Sequence, residues 1–163
     1  MEIIEYEEKY KEDVKDLLVE LQEHLIEIDY WHFMLMGENY RENSFKRDMD
    51  AVNSREGKIY LAKEDNEIIG MVIGTIPPKD DEDRDTNTCA RNGRVLELIV
   101  SKKSRGKGTG ELLLRKIEEY FKKMKCENIG IEVYGPNTRA YNFYDKHGYK
   151  PLDYIVMKKI EKD

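Results

Sequence analysis

The chain has 163 residues, a length that suits one domain, because a chain of this size buries about 70% of its unfolded surface around a single core. Its formal net charge is −6 with no dominant basic stripe, which argues against a nucleic-acid-binding protein and favours cationic partners. The two cysteines, Cys89 and Cys126, are far apart, so we expect neither a disulfide framework nor a zinc site, and a reduced, cytoplasmic protein.

The amino-terminal half predicts a strand, two helices and a hairpin. The spacing of apolar residues predicts, in chain order, strand Ile3–Tyr6, helix Glu8–Ile28, helix Ser44–Val52 and strands Lys58–Lys63 and Ile68–Ile76. The acidic start, Met1 to Glu5, indicates no export signal or membrane insertion. The aromatic stretch Tyr30–Met36 is a candidate for core or substrate wall, and the charged run from Lys79 to Asp85 predicts a solvated loop.

The carboxy-terminal half predicts a strand, helix, strand unit followed by a short helix and a closing strand. The same spacing predicts strand Val95–Val100, a helix that carries Leu113, Ile117, Tyr120, Phe121 and Met124, strand Ile129–Val133, a helix between Asn137 and Gly148, and strand Tyr154–Lys158. The strands on either side of the long helix should lie parallel, with a right-handed crossover.

A glycine-rich turn, Arg105-Gly106-Lys107-Gly108-Thr109-Gly110, lies between the apolar strand and the long helix. Glycines let a backbone take unusual dihedrals and approach a phosphate closely, and a helix amino terminus favours negative charge. Arg105 and Lys107 add positive charge, so the turn is suited to a diphosphate. It fits neither a Walker A loop nor the GxGxxG dinucleotide motif, which argues against a nucleotide-binding protein.

From Val95 to Tyr149 the chain resembles the GNAT superfamily of acetyl-coenzyme A-dependent N-acetyltransferases. Two motifs carry the resemblance: Arg105, Gly108 and Gly110 in the turn, and Asn137, Ala140, Tyr144, Gly148 and Tyr149 in the later segment. The resemblance implies a mixed α/β fold. In that fold, a twisted, mostly antiparallel sheet contains a central parallel strand pair that splays, and about four helices flank the sheet in a single domain over residues 1–163.

The resemblance also implies roles for individual residues. The backbone amides from Gly106 to Glu111, which include those of Lys107 and Thr109, would bind the pyrophosphate of coenzyme A. The exposed backbone of Leu98, Ile99 and Val100 would pair with the pantetheine arm. Asn137 and Ala140 would contact the cofactor, and Tyr144 would protonate the departing thiolate.

An amine must lose a proton before it attacks a thioester, and two glutamates are candidate bases. Glu97 and Glu132 each interrupt an apolar strand, where a carboxylate is costly without a partner or a function. Each could equally be a hydrogen-bonded structural group or lie at a solvated strand edge. The sequence leaves both open.

The sequence therefore predicts an enzyme that moves an acetyl group from acetyl-coenzyme A to a primary amine by direct attack. The acceptor is a small cationic amine or a protein amine. No metal, nucleic acid or membrane is expected, and a homodimer is left open. The alternative is a catalytically inactive module that binds coenzyme A for regulation or interaction.

Overall fold

The computed structural model describes residues 1–79, 88 and 91–160. The chain divides into two compact units, Met1–Glu132 and Val133–Asp163, and the structure describes the second as far as residue 160. The predicted charged loop lies, apart from Lys79, outside the described residues, and so does Cys89.

The first unit contains a five-stranded mixed sheet. Its strands are β1 (Glu2–Glu5), β2 (Lys58–Glu64), β3 (Glu67–Thr75), β4 (Asn92–Val100) and β5 (Asn128–Ile131). They lie side by side in chain order, with antiparallel pairing from β1 to β4 and parallel pairing between β4 and β5. The predicted mixed α/β class and the parallel strand pair are confirmed.

Among the described residues, three helices cover this sheet: α1 (Lys11–Ile28), which follows a 3₁₀ turn at Glu8–Tyr10, α2 (Tyr40–Ser54) and α3 (Thr109–Lys123). Helices α1 and α2 pack on one face, where they share a buried cluster with the sheet: Val14, Leu17, Leu18, Phe45, Ile59, Leu61, Met71, Ile73 and Ile99. Helix α3 packs on the other face. A Cβ atom at Gly74 or Gly93 would lie 2.6 Å from Ile117 or Phe121, so these two glycines allow the close approach of α3.

The antiparallel ladder between β3 and β4 contains a bulge. Ile73 lies opposite Glu97, whereas Gly74 lies opposite Val95, so Leu96 has no partner in β3. A bulge bends its strand and redirects a side chain, and bulges are common beside active sites. Here the bulge lies immediately before Glu97.

The parallel pairing between β4 and β5 covers only the first part of β4. Strand β4 pairs with β5 from Asn92 to Val95, where Val95 lies opposite Ile131. Strand β5 ends at Ile131, while β4 continues to Val100. The last part of β4 therefore has β3 on one side and no paired strand of the described residues on the other.

The second unit contains the short helix α4 (Thr138–Lys146). The Asn137 side chain caps it by accepting a hydrogen bond from the Ala140 amide at 3.1 Å, and Gly148 follows it with a left-handed φ of 89°. The closing strand predicted at Tyr154–Lys158 is not formed, because residues 151–160 have no regular secondary structure. Alternating apolar residues indicate a face but do not name the strand that supplies hydrogen bonds. Without that strand, β5 is the last strand of the described sheet, and the parallel pair is not central in it.

Candidate active site

The turn between β4 and α3 has an unusual backbone. Gly106 has φ 84°, and Gly108, the N-cap residue of α3, has φ 81° and ψ 0°. Both values lie in the left-handed region, which glycine enters at no steric cost. A Cβ atom at either position would meet no heavy atom within 4 Å. These glycines are therefore required for the path of the chain, and the space beside them is open.

The amides of this turn point to a site for an anion. Within the part of the chain that the structure describes, no backbone amide from Gly106 to Gly110 donates to a backbone carbonyl outside the helical ladder. Backbone bonding resumes at Leu112, whose amide donates to the Gly108 carbonyl at 3.2 Å. The first amides of a helix lack intrahelical partners and carry partial positive charge. The turn can therefore donate several hydrogen bonds to one anionic group.

The basic side chains of the turn have different tasks. Arg105 is largely buried, and its Nε donates to the Val100 carbonyl at 3.0 Å, with Glu20 3.8 Å away. Arg105 thus fastens the turn to the end of β4. Lys107 is exposed and lies 3.3 Å from Glu64, so its ammonium group can move to a ligand. Thr109 is buried, and its hydroxyl donates to the Met1 sulfur at 3.3 Å.

The predicted cofactor-facing strand is the part of β4 that continues past β5. Leu98, Ile99 and Val100 pair with β3 on one side only. Ile99 is buried in the core, while Leu98 and Val100 are half-buried. The Val100 carbonyl already accepts the Arg105 bond, so the other backbone groups of this stretch are better placed for an added partner.

Glu97 is held in an apolar setting between β4 and α2. It lies opposite Ile73, which belongs to the same buried cluster as Phe45 of α2. Burial, and after it the negative charge of Asp48, raise the pKa of Glu97 to about 7, while Arg47 acts in the opposite direction. Burial disfavours the charged form of a carboxyl group. Glu97 is therefore poised to exchange a proton near neutral pH.

Asp48 is a neighbour of Glu97 that the sequence analysis did not identify. Asp48 is only 4% exposed, and burial raises the pKa of its carboxyl group. Its Oδ1 accepts a hydrogen bond from Arg47 at 3.3 Å, whereas its buried Oδ2 has no hydrogen-bond partner among the described residues. Helical spacing from Ser44 and Phe45 was the signal that could have placed Asp48 on the buried face.

Tyr40 and Glu132 are two further groups that can carry a negative charge near the sheet. The pKa of the Tyr40 phenol is raised by burial and then by the charge of Glu97. Glu132 follows β5, and its side chain is 86% exposed and paired with Arg94. Of the two glutamates proposed as a base, Glu97 has the environment expected of a tuned proton acceptor.

Tyr144 lies in the second unit and is 8% exposed. Its ring packs edge-on against Phe143 and Tyr149, with centroid distances of 5.2 Å and 5.7 Å. The amide of Tyr149 also donates to the Tyr144 carbonyl at 3.1 Å. The ring thus packs against its neighbour Phe143 within α4 and against Tyr149, which follows α4.

The described residues contain neither a candidate metal site nor a candidate membrane span. That part of the chain contains no group of three His, Cys, Asp or Glu residues able to hold a metal ion. None of its helices has the length and apolar character needed to cross a membrane.

The chain is similar to proteins of known sequence and of known structure. A protein named as an uncharacterized N-acetyltransferase of Methanocaldococcus jannaschii is 32% identical over 92 residues, which cover 56% of this chain and 51% of that protein. The match thus spans about half the length of that relative. A mutant of the BH1408 protein from Bacillus halodurans superposes with a TM-score of 0.84 at 20% identity, covering 99% of this chain and 100% of the other.

A further solved structure with the same fold carries a ligand. The protein AAC(6')-Iy, in complex with the bisubstrate analogue CoA-S-monomethyl-acetylneamine, matches with a TM-score of 0.67 at 12% identity, over 99% of this chain and 98% of that one. Residues 18–149, most of the chain, match the description acetyltransferase (GNAT) family. The left-handed glycines of the turn and the parallel β4–β5 pair agree with this match, which shows that the chain belongs to the GNAT acetyltransferase family.

Proposed function

We propose that this chain, as one catalytic domain over residues 1–163, transfers an acetyl group from acetyl-coenzyme A to a primary amine. Acetyl-coenzyme A supplies the activated thioester. The backbone amides of the Gly106–Gly110 turn would bind its diphosphate, and Leu98 and Ile99 would pair with its pantetheine arm. The open space beside Gly106 and Gly108 supports this fit, because a bulky phosphate can reach the amides there.

One observation carries the proposal of an enzyme rather than an inactive module, and it is the environment of Glu97. A carboxyl group with a pKa of about 7, on the strand that leads into the turn, matches the need of the reaction. An alkyl amine has an ordinary pKa near ~10.4 and is protonated at neutral pH. Glu97 would take that proton, and the neutral nitrogen would then attack the thioester carbonyl directly.

The departing thiolate also needs a proton, and Tyr144 is the proposed donor. A thiol of ordinary pKa near ~8.5 leaves more easily when a nearby donor shares its charge. The resemblance of Asn137, Ala140 and Tyr144 to the family's second motif supports this role, and the packed ring of Tyr144 supports a fixed position.

The activity is tested by incubating the protein with acetyl-coenzyme A and a panel of primary amines while following thiol release. The panel contains polyamines, aminoglycosides and peptides with a lysine side chain or an amino terminus as the acceptor. We expect amine-dependent thiol release with at least one class. Tight binding of coenzyme A in calorimetry, without thiol release for any amine, would instead support the inactive binding module.

Glu97→Gln and Glu132→Gln form a matched pair for the base. We expect the Glu97→Gln variant to lose about 10²-fold or more in kcat/KM and to lose the acidic limb of the pH–rate profile, because a general base contributes on that order. Glu132→Gln should keep the wild-type kcat/KM and the acidic limb, since the Glu132 side chain is exposed and paired with Arg94. The opposite result would move the role to Glu132, and an acidic limb in both variants would exclude both residues.

A further inference from the structure

The carboxylates of Asp48 and Glu97 come together beneath α2. Phe45 and Ile73 belong to one buried cluster, Asp48 lies one helical turn after Phe45, and Glu97 lies opposite Ile73 on the same face of the sheet. Asp48 is close enough for its charge to act on Glu97. Two carboxylates from different elements thus face one small region next to the β4 bulge.

The unpartnered oxygen of Asp48 requires an explanation. A buried carboxylate oxygen without a hydrogen bond costs free energy, so such atoms are rare in folded proteins. Asp48 Oδ1 has Arg47 as its partner, but no group among the described residues donates to Oδ2. Arg47 itself is 60% exposed, so its charge is largely shared with water. Among the described residues, Arg47 is the cation that acts on both carboxyl groups, so the region has more acceptors than donors.

We propose that Asp48 is a binding residue for the acceptor, whose ammonium group occupies the region between Asp48 Oδ2 and Glu97. This inference rests on the proposed function and names how its acceptor is recognised. The amine arrives as a cation, one N–H bond breaks as its proton passes to the Glu97 carboxylate, and a new O–H bond forms there. Asp48 stays ionised and holds the nitrogen. Acceptors would then be alkylammonium compounds without an anionic group beside the reacting nitrogen.

The test uses Asp48→Asn with Asp50→Asn as its control. Both residues lie on α2, but Asp48 is buried and Asp50 is exposed. The charged groups that act on the pKa of Glu97 are Asp48 and Arg47, and the charge of Glu97 in turn raises the pKa of the Tyr40 phenol. Removing the negative charge of Asp48 should lower the pKa of Glu97 by about one pH unit or more, as followed by carbon NMR of the Glu97 carboxyl group. Asp50→Asn should leave that pKa in place.

A second measurement uses methylammonium chloride as the probe, with sodium chloride at the same ionic strength as the reference. A cation between the two carboxylates favours the ionised form, so methylammonium should lower the pKa of Glu97 in the wild type and do so much less in Asp48→Asn. In turnover assays, Asp48→Asn should raise the KM for the amine about tenfold and leave the KM for acetyl-coenzyme A unchanged.

The outcomes separate this inference from the proposed function. If Glu97 titrates identically with and without methylammonium in the wild type, the inference is overturned, even when acetyl transfer is observed. The same holds if Asp48→Asn keeps both the Glu97 titration and the amine KM. If methylammonium shifts Glu97 but no amine releases thiol from acetyl-coenzyme A, the cation site stands and the proposed transferase activity fails.

Discussion

Glu97 and Glu132 have the same side chain, and their surroundings give them different chemistry. Both interrupt apolar strands in the sequence. The ends of strands cannot be located precisely from one sequence, so the sequence does not show which glutamate lies inside its strand. Strand β5 ends at Ile131, one residue before Glu132, so that side chain reaches solvent and Arg94. Glu97 lies in the middle of β4, where burial and the negative charge of Asp48 on α2 raise its pKa. Burial, rather than residue type, distinguishes the two.

Tyr144 is tested at this scale by Tyr144→Phe. We expect kcat to fall by about 10²-fold, because the thiolate would leave without a proton donor, while affinity for coenzyme A stays the same. Tyr141→Phe is the control, since Tyr141 lies on the same helix and is 45% exposed. Stopped-flow thiol detection gives kcat, and calorimetry gives affinity. Wild-type turnover in Tyr144→Phe would leave the tyrosine with a packing role only.

Asp48 shows what sequence reading misses at the scale of one residue. Helical spacing from Phe45 places Asp48 on the buried side of α2, but the helix is predominantly polar and its apolar pattern is sparse. The significance of Asp48 depends on the charge that it exerts on Glu97 of β4, which is about fifty positions later in the chain. That proximity follows from the tertiary fold and not from periodicity.

Among the elements, the glycine turn is the one that we propose binds the cofactor. Gly108→Ala places a Cβ atom on a left-handed residue, which costs roughly 1–2 kcal/mol and favours a different path for the amides. We expect the affinity for coenzyme A to fall by about tenfold, equivalent to ~1.4 kcal/mol, in calorimetry. Gly130→Ala is the control, because that glycine has open space around it and lies in β5. Equal affinities for the two variants would contradict the role of the turn.

Most elements could be predicted because they carry a local signal. The β2–β3 hairpin was marked by Asp65-Asn66, and both residues have left-handed φ values, 48° and 67°, as a tight hairpin turn requires. Helix α2 begins at Tyr40, four residues before the predicted Ser44. The prediction missed this start because the first turn of the helix is mostly polar and lies outside the apolar pattern. The strand predicted at Tyr154–Lys158 had an alternating pattern but no predicted partner, and it is absent.

At the scale of the whole molecule, the buried carboxyl group of Glu97 couples stability to pH. Its pKa rises from an ordinary 4.5 to about 7 on folding, so the folded protein binds a proton that the unfolded chain releases. Stability from this group is fully present below pH 4.5, falls as the pH rises, and is lost above pH 7. The site is thus less stable in the ionisation state that the proposed reaction requires.

Glu97→Gln should therefore stabilise the protein at alkaline pH. We expect its free energy of unfolding to exceed that of the wild type by up to about 3 kcal/mol at pH 8, and the difference to shrink towards pH 5. Urea unfolding at several pH values measures it. Glu132→Gln should not reproduce the pattern, because its side chain is exposed. A difference that grows as the pH falls would contradict the buried, proton-binding state of Glu97.

The main-chain construction of the turn has a consequence for how this scaffold can diversify. Amide donors are present in every residue type except proline, so the proposed binding of coenzyme A would depend on the course of the backbone and tolerate many changes of side chain. The proposed choice of acceptor depends instead on side chains of α2 and β4. A few substitutions beneath α2 could therefore change which amine is bound, while the binding of acetyl-coenzyme A stays the same.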